Sequence, residues 1–159
     1  MVIAITGHRP NKLGFDFSLR SNLVINIKQE LQKRIDIYKP SFLITGMALG
    51  IDTLWATLAI ENKIPFIAAI PCLNQEAKWP ADAKAVYYNI LNQPFCAKVY
   101  VSKTAYTPLC MQKRNIFMVE NCDKLIAVWD GSKGGTENCV SYAKSIMLDI
   151  DVIDPKELK

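Results

Sequence analysis

The stretch VWDGSKGGT, Val128–Thr136, joins the end of an apolar run to the start of a helical pattern. The run LIAVW reads as a buried strand, and Gly131, Gly134 and Gly135 follow it before Thr136. Glycine permits left-handed backbone angles and a close approach of a ligand to the main chain. A helix N-terminus behind such a turn offers unpaired N–H groups and the positive end of a dipole. The stretch therefore predicts either an anion site, most often for phosphate, or a plain surface turn.

Outward from this turn, short apolar runs alternate with longer helical patterns along the whole chain. Strands are predicted over Val2–Thr6, Ser41–Thr45, Pro65–Ile70, Ala97–Val101, Lys124–Trp129 and Asp151–Ile153. Helices are predicted over Ser18–Ile37, Asp52–Asn62, Ala81–Asn92, Leu109–Asn121 and Thr136–Leu148. One apolar face of the first helix repeats every four residues, at Leu19, Leu23, Ile27, Leu31 and Ile35.

The predicted strands are continuous apolar runs, which is typical of strands that are buried on both faces. Such strands belong to a mainly parallel sheet with helices on both sides. We therefore expect a single domain over residues 1–159, an α/β, Rossmann-like, doubly wound fold. The Met and Phe residues of Leu109–Met118 are expected in its core. In this architecture ligands bind outside the carboxyl ends of the strands, at the topological switch point.

Composition limits the classes of partner. The 159 residues are 50% hydrophobic and 21% charged, with a net charge of +4 and no Lys/Arg run longer than two. This mild excess permits anionic ligands but does not match the electrostatic footprint of a duplex-DNA binder. Five cysteines without a CxxC, and a single histidine, indicate free thiols and no metal or other cofactor. The chain shows no signal-peptide pattern and no apolar stretch of about 20 residues, so we expect a cytoplasmic protein without a membrane partner.

Three turns that follow predicted strands carry the polar residues of interest. All carboxyl ends of a parallel sheet point the same way, so these turns are expected to line one crevice. The ligand-binding candidates from the first turn are Thr6, Gly7, His8 and Arg9. Those from the second are Thr45, Gly46, Gly50 and Asp52. Those from the third are Gly131, Lys133, Gly134, Gly135 and Thr136, with Asp130 at its start.

Each charged candidate also has a plainer explanation. His8 either contacts a ligand or caps a loop, whereas Arg9 has the planar guanidinium that pairs bidentately with phosphate. Asp52 either bonds a ribose or the neighbouring loop, or is the N-cap of its helix. Asp130 either stabilises its turn or touches the ligand, and Lys133 either contacts phosphate or is solvated. Two loop aromatics either stack on a base or simply pack, namely Trp79 and Tyr106.

The motifs TGHRP, TGMALGID and MQKRN…DKLIAVWDGSKGGT, at Thr6–Pro10, Thr45–Asp52 and Met111–Thr136, resemble the small stand-alone branch of the SLOG superfamily. This superfamily groups the Lonely Guy phosphoribohydrolases, DNA-processing protein A and small nucleotide-binding proteins. The resemblance implies a nucleotide or nucleotide-derived ligand. It also implies a homodimer, because Lonely Guy enzymes build their sites at dimer interfaces.

Comparison with Lonely Guy enzymes, which hydrolyse the N-glycosidic bond of nucleoside monophosphates, raises the question of catalysis. Arg114 matches their arginine, but Cys139 stands where their glutamate belongs. A carboxylate there would stabilise the oxocarbenium character that develops during bond cleavage. The candidates to replace it are Asp130, Glu137 and His8.

Three functions remain open on the sequence. The first is a sensor or sequestering module that binds a nucleotide through its glycine-rich loop. The second is an N-glycosidase that uses Arg114 with Asp130 or Glu137. The third is single-stranded DNA binding, by resemblance to DNA-processing protein A; the low net charge argues against it.

Overall fold

The computed structural model describes residues 1–13 and 21–159. In these residues strands and helices alternate. The strands are β1 Val2–Gly7, β2 Phe42–Thr45, β3 Phe66–Ile70, β4 Cys96–Tyr100, β5 Lys124–Val128 and β6 Asp149–Ile153. The helices are α1 Asn22–Tyr38, α2 Ile51–Glu61, α3 Ala81–Leu91, α4 Cys110–Glu120 and α5 Gly135–Ser145, with short 3-10 helices at Pro10–Leu13 and Pro155–Leu158.

The six strands form one parallel sheet in the order β4-β3-β2-β1-β5-β6. The predicted doubly wound α/β fold is confirmed. β1 lies between β2 and β5, so the winding direction reverses beside β1. Gly7 pairs in register with Val128, which brings the carboxyl ends of β1 and β5 level with each other. This switch point is where an open parallel sheet leaves room for a ligand.

The core has two layers because helices cover both faces of the sheet. Helices α1, α2 and α3 bury their apolar sides in one cluster, which includes the fully buried Trp55. Helices α4 and α5 cover the other face through a second cluster that contains Met118 and Cys139. The predicted apolar face of α1 is confirmed for its described members, which are Leu23, Ile27, Leu31 and Ile35. The predicted start of this helix at Ser18 and the apolar Leu19 lie outside the described residues.

Two core expectations were wrong. The edge strands β4 and β6 are partly exposed because each has a neighbour on one side only. The Met and Phe residues of Leu109–Met118 are not all core: Met111 and Phe117 are only partly buried, since the buried side of α4 carries Arg114 and Asn115.

Helix ends differ from prediction where the backbone changes conformation. α5 ends at Ser145 rather than at the predicted Leu148, because Met147 takes a positive φ of 58°. Similarly, α1 is closed by Lys39 at a φ of 47°, whose N–H donates to Ile35 O. The five cysteines are free thiols. Within residues 1–13 and 21–159, no helix has the length and apolar character needed to cross a membrane.

Candidate functional site

A cavity of about 210 Å³ opens at the carboxyl ends of β1 and β5, and we call it the crevice. Its walls come from the turn after β1, the turn before α2, the buried side of α4 and the start of α5. Of the sequence-predicted residues, the structure brings Thr6, Gly7, His8, Arg9, Asp52, Arg114, Gly134, Gly135 and Thr136 to its surface.

The N-terminus of α5 forms one wall of the crevice. Gly134 precedes the helix at a φ of 144°, a backbone angle that glycine adopts without a Cβ penalty. No side chain of the described residues caps this end of α5. The first N–H groups of the helix, at Gly135 and Thr136, therefore lack helical acceptors and lie at the cavity wall. Together with the helix dipole they favour an anion.

Three cationic side chains line the same cavity, and they are Arg9, Lys12 and Arg114. Lys12 lies across the glycine-rich turn, where its Nζ donates to Ser132 Oγ at 3.4 Å and to the Lys133 carbonyl. A Cβ added at Gly134 would come within 2.9 Å of this Nζ, so the ammonium crosses the turn at close range.

Arg114 and Asp52 form the buried floor of the crevice. The Arg114 Nη1 donates to Gly46 O at 2.6 Å and lies 4.0 Å from Asp52 Oδ2, while Nε donates to Asn115 Oδ1 at 3.0 Å. Asp52 accepts the Ala48 N–H at 3.1 Å. Burial raises the pKa of Asp52, against the opposing effects of Arg114 and this N–H. Burial likewise lowers the pKa of the Arg114 guanidinium, and the nearby carboxylate opposes that shift.

The second predicted turn supports this pair from behind the crevice. The Thr45 hydroxyl donates to Asp52 O at 2.7 Å and accepts the Met47 N–H at 3.3 Å. Gly50 is the N-cap of α2 at a φ of 92°, so the interpretation of Asp52 as the N-cap was wrong. Thr45, Gly46 and Gly50 thus lie outside the cavity surface and hold Asp52 and Arg114 in place.

His8 and Asp130 join the ends of β1 and β5 beside the crevice. Asp130 Oδ1 lies 2.7 Å from His8 Nε2 and accepts the Ser132 N–H at 2.9 Å. The hydrogen bonds from Ser132, with a further contribution from His8, hold the pKa of Asp130 well below its usual range. Asp130 lines a separate 70 Å³ cavity with Lys156, not the crevice.

The remaining candidates also lie outside the crevice. Gly131 and Lys133 are exposed at the tip of the turn, and Glu137 is partly buried on α5 away from the cavity surface. Cys139, at the position of the Lonely Guy glutamate, is fully buried. Burial raises the pKa of its thiol to about 12, against the opposing effects of the nearby Thr6 and Arg114.

Several lining residues were missed at the sequence level. Asn115 follows Arg114 in the MQKRN motif, and that adjacency was the available signal for it. Lys12 comes four residues after His8, and only the 3-10 helix Pro10–Leu13 turns it back over the glycine-rich turn. Met111 was assigned to the core but lines the crevice.

A second cavity of about 370 Å³ adjoins the crevice. Trp79, one of the two candidate stacking residues, lines it together with Gln75 and Leu49. The Trp79 ring packs edge-on against Tyr87, with centroids 5.3 Å apart. The other candidate, Tyr106, is 60% exposed and lines neither cavity.

Comparison with solved structures agrees with the fold. The chain superposes on DNA processing protein A from Streptococcus pneumoniae with a TM-score of 0.69 and 18% identity, over 96% of this chain and 50% of that protein. For DNA processing protein A from Helicobacter pylori the TM-score is 0.65 with 20% identity, over 97% of this chain and 65% of that protein. The chain thus spans about half to two thirds of these larger proteins. The Helicobacter structure is described as one with a distinctive single-stranded DNA binding mode.

Sequence comparison gives relatives of similar extent. The SPbeta prophage-derived protein YoqJ of Bacillus subtilis is 38% identical over 120 residues, which cover 66% of this chain and 70% of that protein. A UPF0398 protein of Bacillus cereus is 27% identical over 150 residues, which cover 89% of this chain and 81% of that protein. The YpsA family model, described as the YspA SLOG family, matches residues 3–158. The resemblance to the SLOG superfamily is therefore confirmed: this chain belongs to the YspA SLOG family.

Proposed function

We propose that the crevice binds the phosphate of a nucleotide or nucleotide-derived molecule, and that the chain acts as a sensor or sequestering module for it. One observation carries this proposal: the uncapped N-terminus of α5 and the cations Arg9, Lys12 and Arg114 line the same cavity. Helix N-termini and basic side chains are the two features that proteins combine most often to hold phosphate.

The charge balance of the crevice supports an anionic ligand. Among the described residues that line it, Asp52 is the acidic side chain, against three cations and the dipole of α5. Arg114 is already hydrogen-bonded to Gly46 O, and Lys12 to the Lys133 carbonyl, so both contribute their charge from fixed positions, whereas the Arg9 side chain is exposed beside the cavity. The polar groups of Thr6, Asp52 and Asn115 suit ribose hydroxyls, which both donate and accept hydrogen bonds.

Binding without turnover fits this site better than N-glycosidase chemistry. The thiol of Cys139 has a pKa of about 12, so it is neutral at neutral pH and supplies no negative charge to a ribosyl cation. Neither Glu137 nor Asp130 lines the crevice, and Asp130 is already hydrogen-bonded to His8. Arg114 lines the crevice in either case, but its guanidinium is already hydrogen-bonded to Gly46 O.

Calorimetric titration with AMP and ribose 5-phosphate tests the proposal. Gly135→Asp places a carboxylate at the α5 N-terminus, and we expect AMP affinity to fall by more than tenfold because like charges repel there. Asn138→Asp adds the same charge to an exposed position one turn along the same helix and serves as the control. Equal affinities of both variants and the unaltered protein would contradict phosphate binding at this wall.

Single-stranded DNA binding is a second candidate function, because the Helicobacter pylori neighbour is described as binding single-stranded DNA. The cations of the crevice would then contact a strand phosphate. A fluorescent oligonucleotide titrated at several salt concentrations separates the two functions, because the log affinity for a single strand falls with log salt by about 0.7 per neutralised phosphate. A steep salt slope that excess AMP does not alter would favour DNA and contradict the first proposal.

A further inference from the structure

The second cavity continues from the crevice rather than standing apart from it. The two share four lining residues, which are Arg9, Asn11, Ala48 and Met111. Its volume of about 370 Å³ falls within the usual range of about 300–1,000 Å³ for small-molecule sites. A ligand whose phosphate lies at the start of α5 therefore has adjoining space for a larger group on the other side of Arg9.

Gln75 gives this second cavity an unusual polar group. Its side-chain amide nitrogen and oxygen are both buried and have no hydrogen-bond partner in the described part of the chain. The Tyr87 hydroxyl is a near neighbour of this amide but does not meet hydrogen-bond geometry with it. Buried amides are almost always paired in folded proteins, so an unpaired one calls for a partner that is supplied from outside.

Gln75 lines the second cavity, but both of its amide atoms are shielded from solvent in the free protein. Contact with a ligand therefore requires a rotation of the side chain, whose terminal χ3 torsion is broad, with no steep rotamer wells. The loop that carries Gln75 is itself held firmly, because Ala77 N–H donates to Asn74 O at 3.1 Å and Trp79 N–H donates to Glu76 O at 3.0 Å. The backbone of Gln75 thus stays in position beside the cavity when the amide turns to a ligand.

The other walls of the second cavity suit a flat aromatic ring. Trp79 offers an indole whose orientation is fixed by its edge-on contact with Tyr87, while Pro10, Leu49 and Met111 add apolar surface. Any nucleobase can stack on such side chains, because every base has a π-face. The hydrogen-bonding edge of the base then has to meet the polar group available, which is the amide of Gln75.

We propose that the second cavity is the base subsite of the ligand and that it takes adenine, with the Gln75 amide hydrogen-bonded to the base edge beside Trp79. A glutamine amide presents one donor and one acceptor side by side, which match the adenine N7 and N6 amino group in a bidentate pair. This inference rests on the proposed function, because the phosphate at the start of α5 determines which way the nucleoside points.

The test compares three ligands on three proteins by calorimetric titration. The ligands are AMP, purine riboside monophosphate, which lacks the 6-amino group, and ribose 5-phosphate, which lacks the base. The proteins are the unaltered chain, Gln75→Leu, and the control Gln93→Leu, whose glutamine bonds Asn89 O at the end of α3 and lines neither cavity. We expect AMP to bind about tenfold tighter than purine riboside monophosphate, because the loss of one well-made hydrogen bond, here that of the 6-amino group, changes affinity by about this factor.

In Gln75→Leu this preference for AMP should disappear while affinity for ribose 5-phosphate is retained, and Gln93→Leu should behave like the unaltered chain. Thermal unfolding without ligand gives a second measure: Gln75→Leu should unfold at the same temperature or higher, because it removes an unpaired buried amide. A lower unfolding temperature would mean that the amide has a partner in the free protein, and would overturn the inference.

The remaining outcomes separate the two proposals. Binding of ribose 5-phosphate with no gain from the adenine base overturns the base subsite and leaves the phosphate site standing. An AMP preference that survives in Gln75→Leu overturns the role of this residue. Absence of binding by all three ligands overturns the proposed function and this inference together.

Discussion

Gly46 leaves the space that the guanidinium of Arg114 occupies at the floor of the crevice. A Cβ at this residue would stand 2.4 Å from Arg114 Nη1 and 2.8 Å from Asp52 Oδ2. Both distances are shorter than real Cβ contacts, so any larger residue displaces Arg114 and Asp52, which face each other across 4.0 Å. The glycine in the motif TGMALGID is therefore required by a close approach within the protein, and its effect on ligand binding passes through Arg114.

Gly46→Ala should lower the free energy of unfolding by about 1–3 kcal/mol, the usual effect of overpacking a buried site. Gly135→Ala is the matched control, because nothing lies within 4 Å of the added Cβ at the first residue of α5. Alanine is also preferred in helices, so the control should be neutral or stabilising by up to about 1 kcal/mol. Urea unfolding at pH 7 measures both, and equal destabilisation of the two variants would contradict the role assigned to Gly46.

Asp130 should make the stability of the fold sensitive to acid. Its pKa lies below the usual value because Ser132 and His8 stabilise the carboxylate in the folded state. The resulting stabilisation is complete above the unfolded pKa of about 3.9 and is lost as pH falls through that value toward the lower folded pKa. Asp130→Asn lacks this contribution, so its deficit in unfolding free energy should be largest at pH 6 and shrink by pH 3. Urea unfolding across this range measures the deficit, and a constant deficit would contradict the argument.

Among the elements, α5 combines an unsatisfied helix end with the most anion-favouring wall of the crevice. Thr136→Asp places a carboxylate in the first turn, where the dipole favours it by about 0.3–1 kcal/mol while the burial of this residue opposes that gain, so the ligand-free protein should not gain stability. The same charge repels phosphate, so AMP affinity should fall by more than tenfold. Thr136→Val keeps the shape without the charge and should give a smaller loss of affinity. Thermal unfolding and calorimetry test both effects, and a folded Thr136→Asp variant that binds AMP as tightly as the unaltered protein would contradict the placement of phosphate here.

The secondary-structure elements also show how much of the structure the sequence could predict. Apolar runs and helical spacing located the six strands and five α-helices of the described residues, but not the two 3-10 helices. The expectation that the turns after β1 and β5 line one crevice also came from the sequence. Burial on β4 and β6 was mispredicted because apolar runs do not reveal which strands lie at the edge. The sequence also did not predict that Lys12 lines the crevice. This placement depends on the 3-10 helix Pro10–Leu13, which folds the chain back over a glycine-rich turn more than a hundred residues later.

For the whole molecule, the crevice is assembled from segments near residues 6–12, 48–52, 111–118 and 132–136, so it exists only in the folded chain. A ligand that binds there should stabilise the native state by about 2.7 kcal/mol at 100 times its Kd. For a domain of this size that corresponds to a rise in Tm of roughly 5–10 °C.

Substitution of Arg9 tests this ligand-induced increase in Tm directly, because the Arg9 side chain is exposed yet lines both the crevice and the second cavity. Arg9→Ala should leave the Tm of the ligand-free protein within about 1 °C, as exposed substitutions usually do. The rise in Tm produced by AMP should nevertheless shrink by more than half at the same ligand concentration, since one of the three cations that line the crevice is lost. Differential scanning fluorimetry over a range of AMP concentrations measures both quantities. An undiminished rise in Arg9→Ala would contradict the placement of the AMP phosphate in the crevice, because Arg9 is one of the cations that line it.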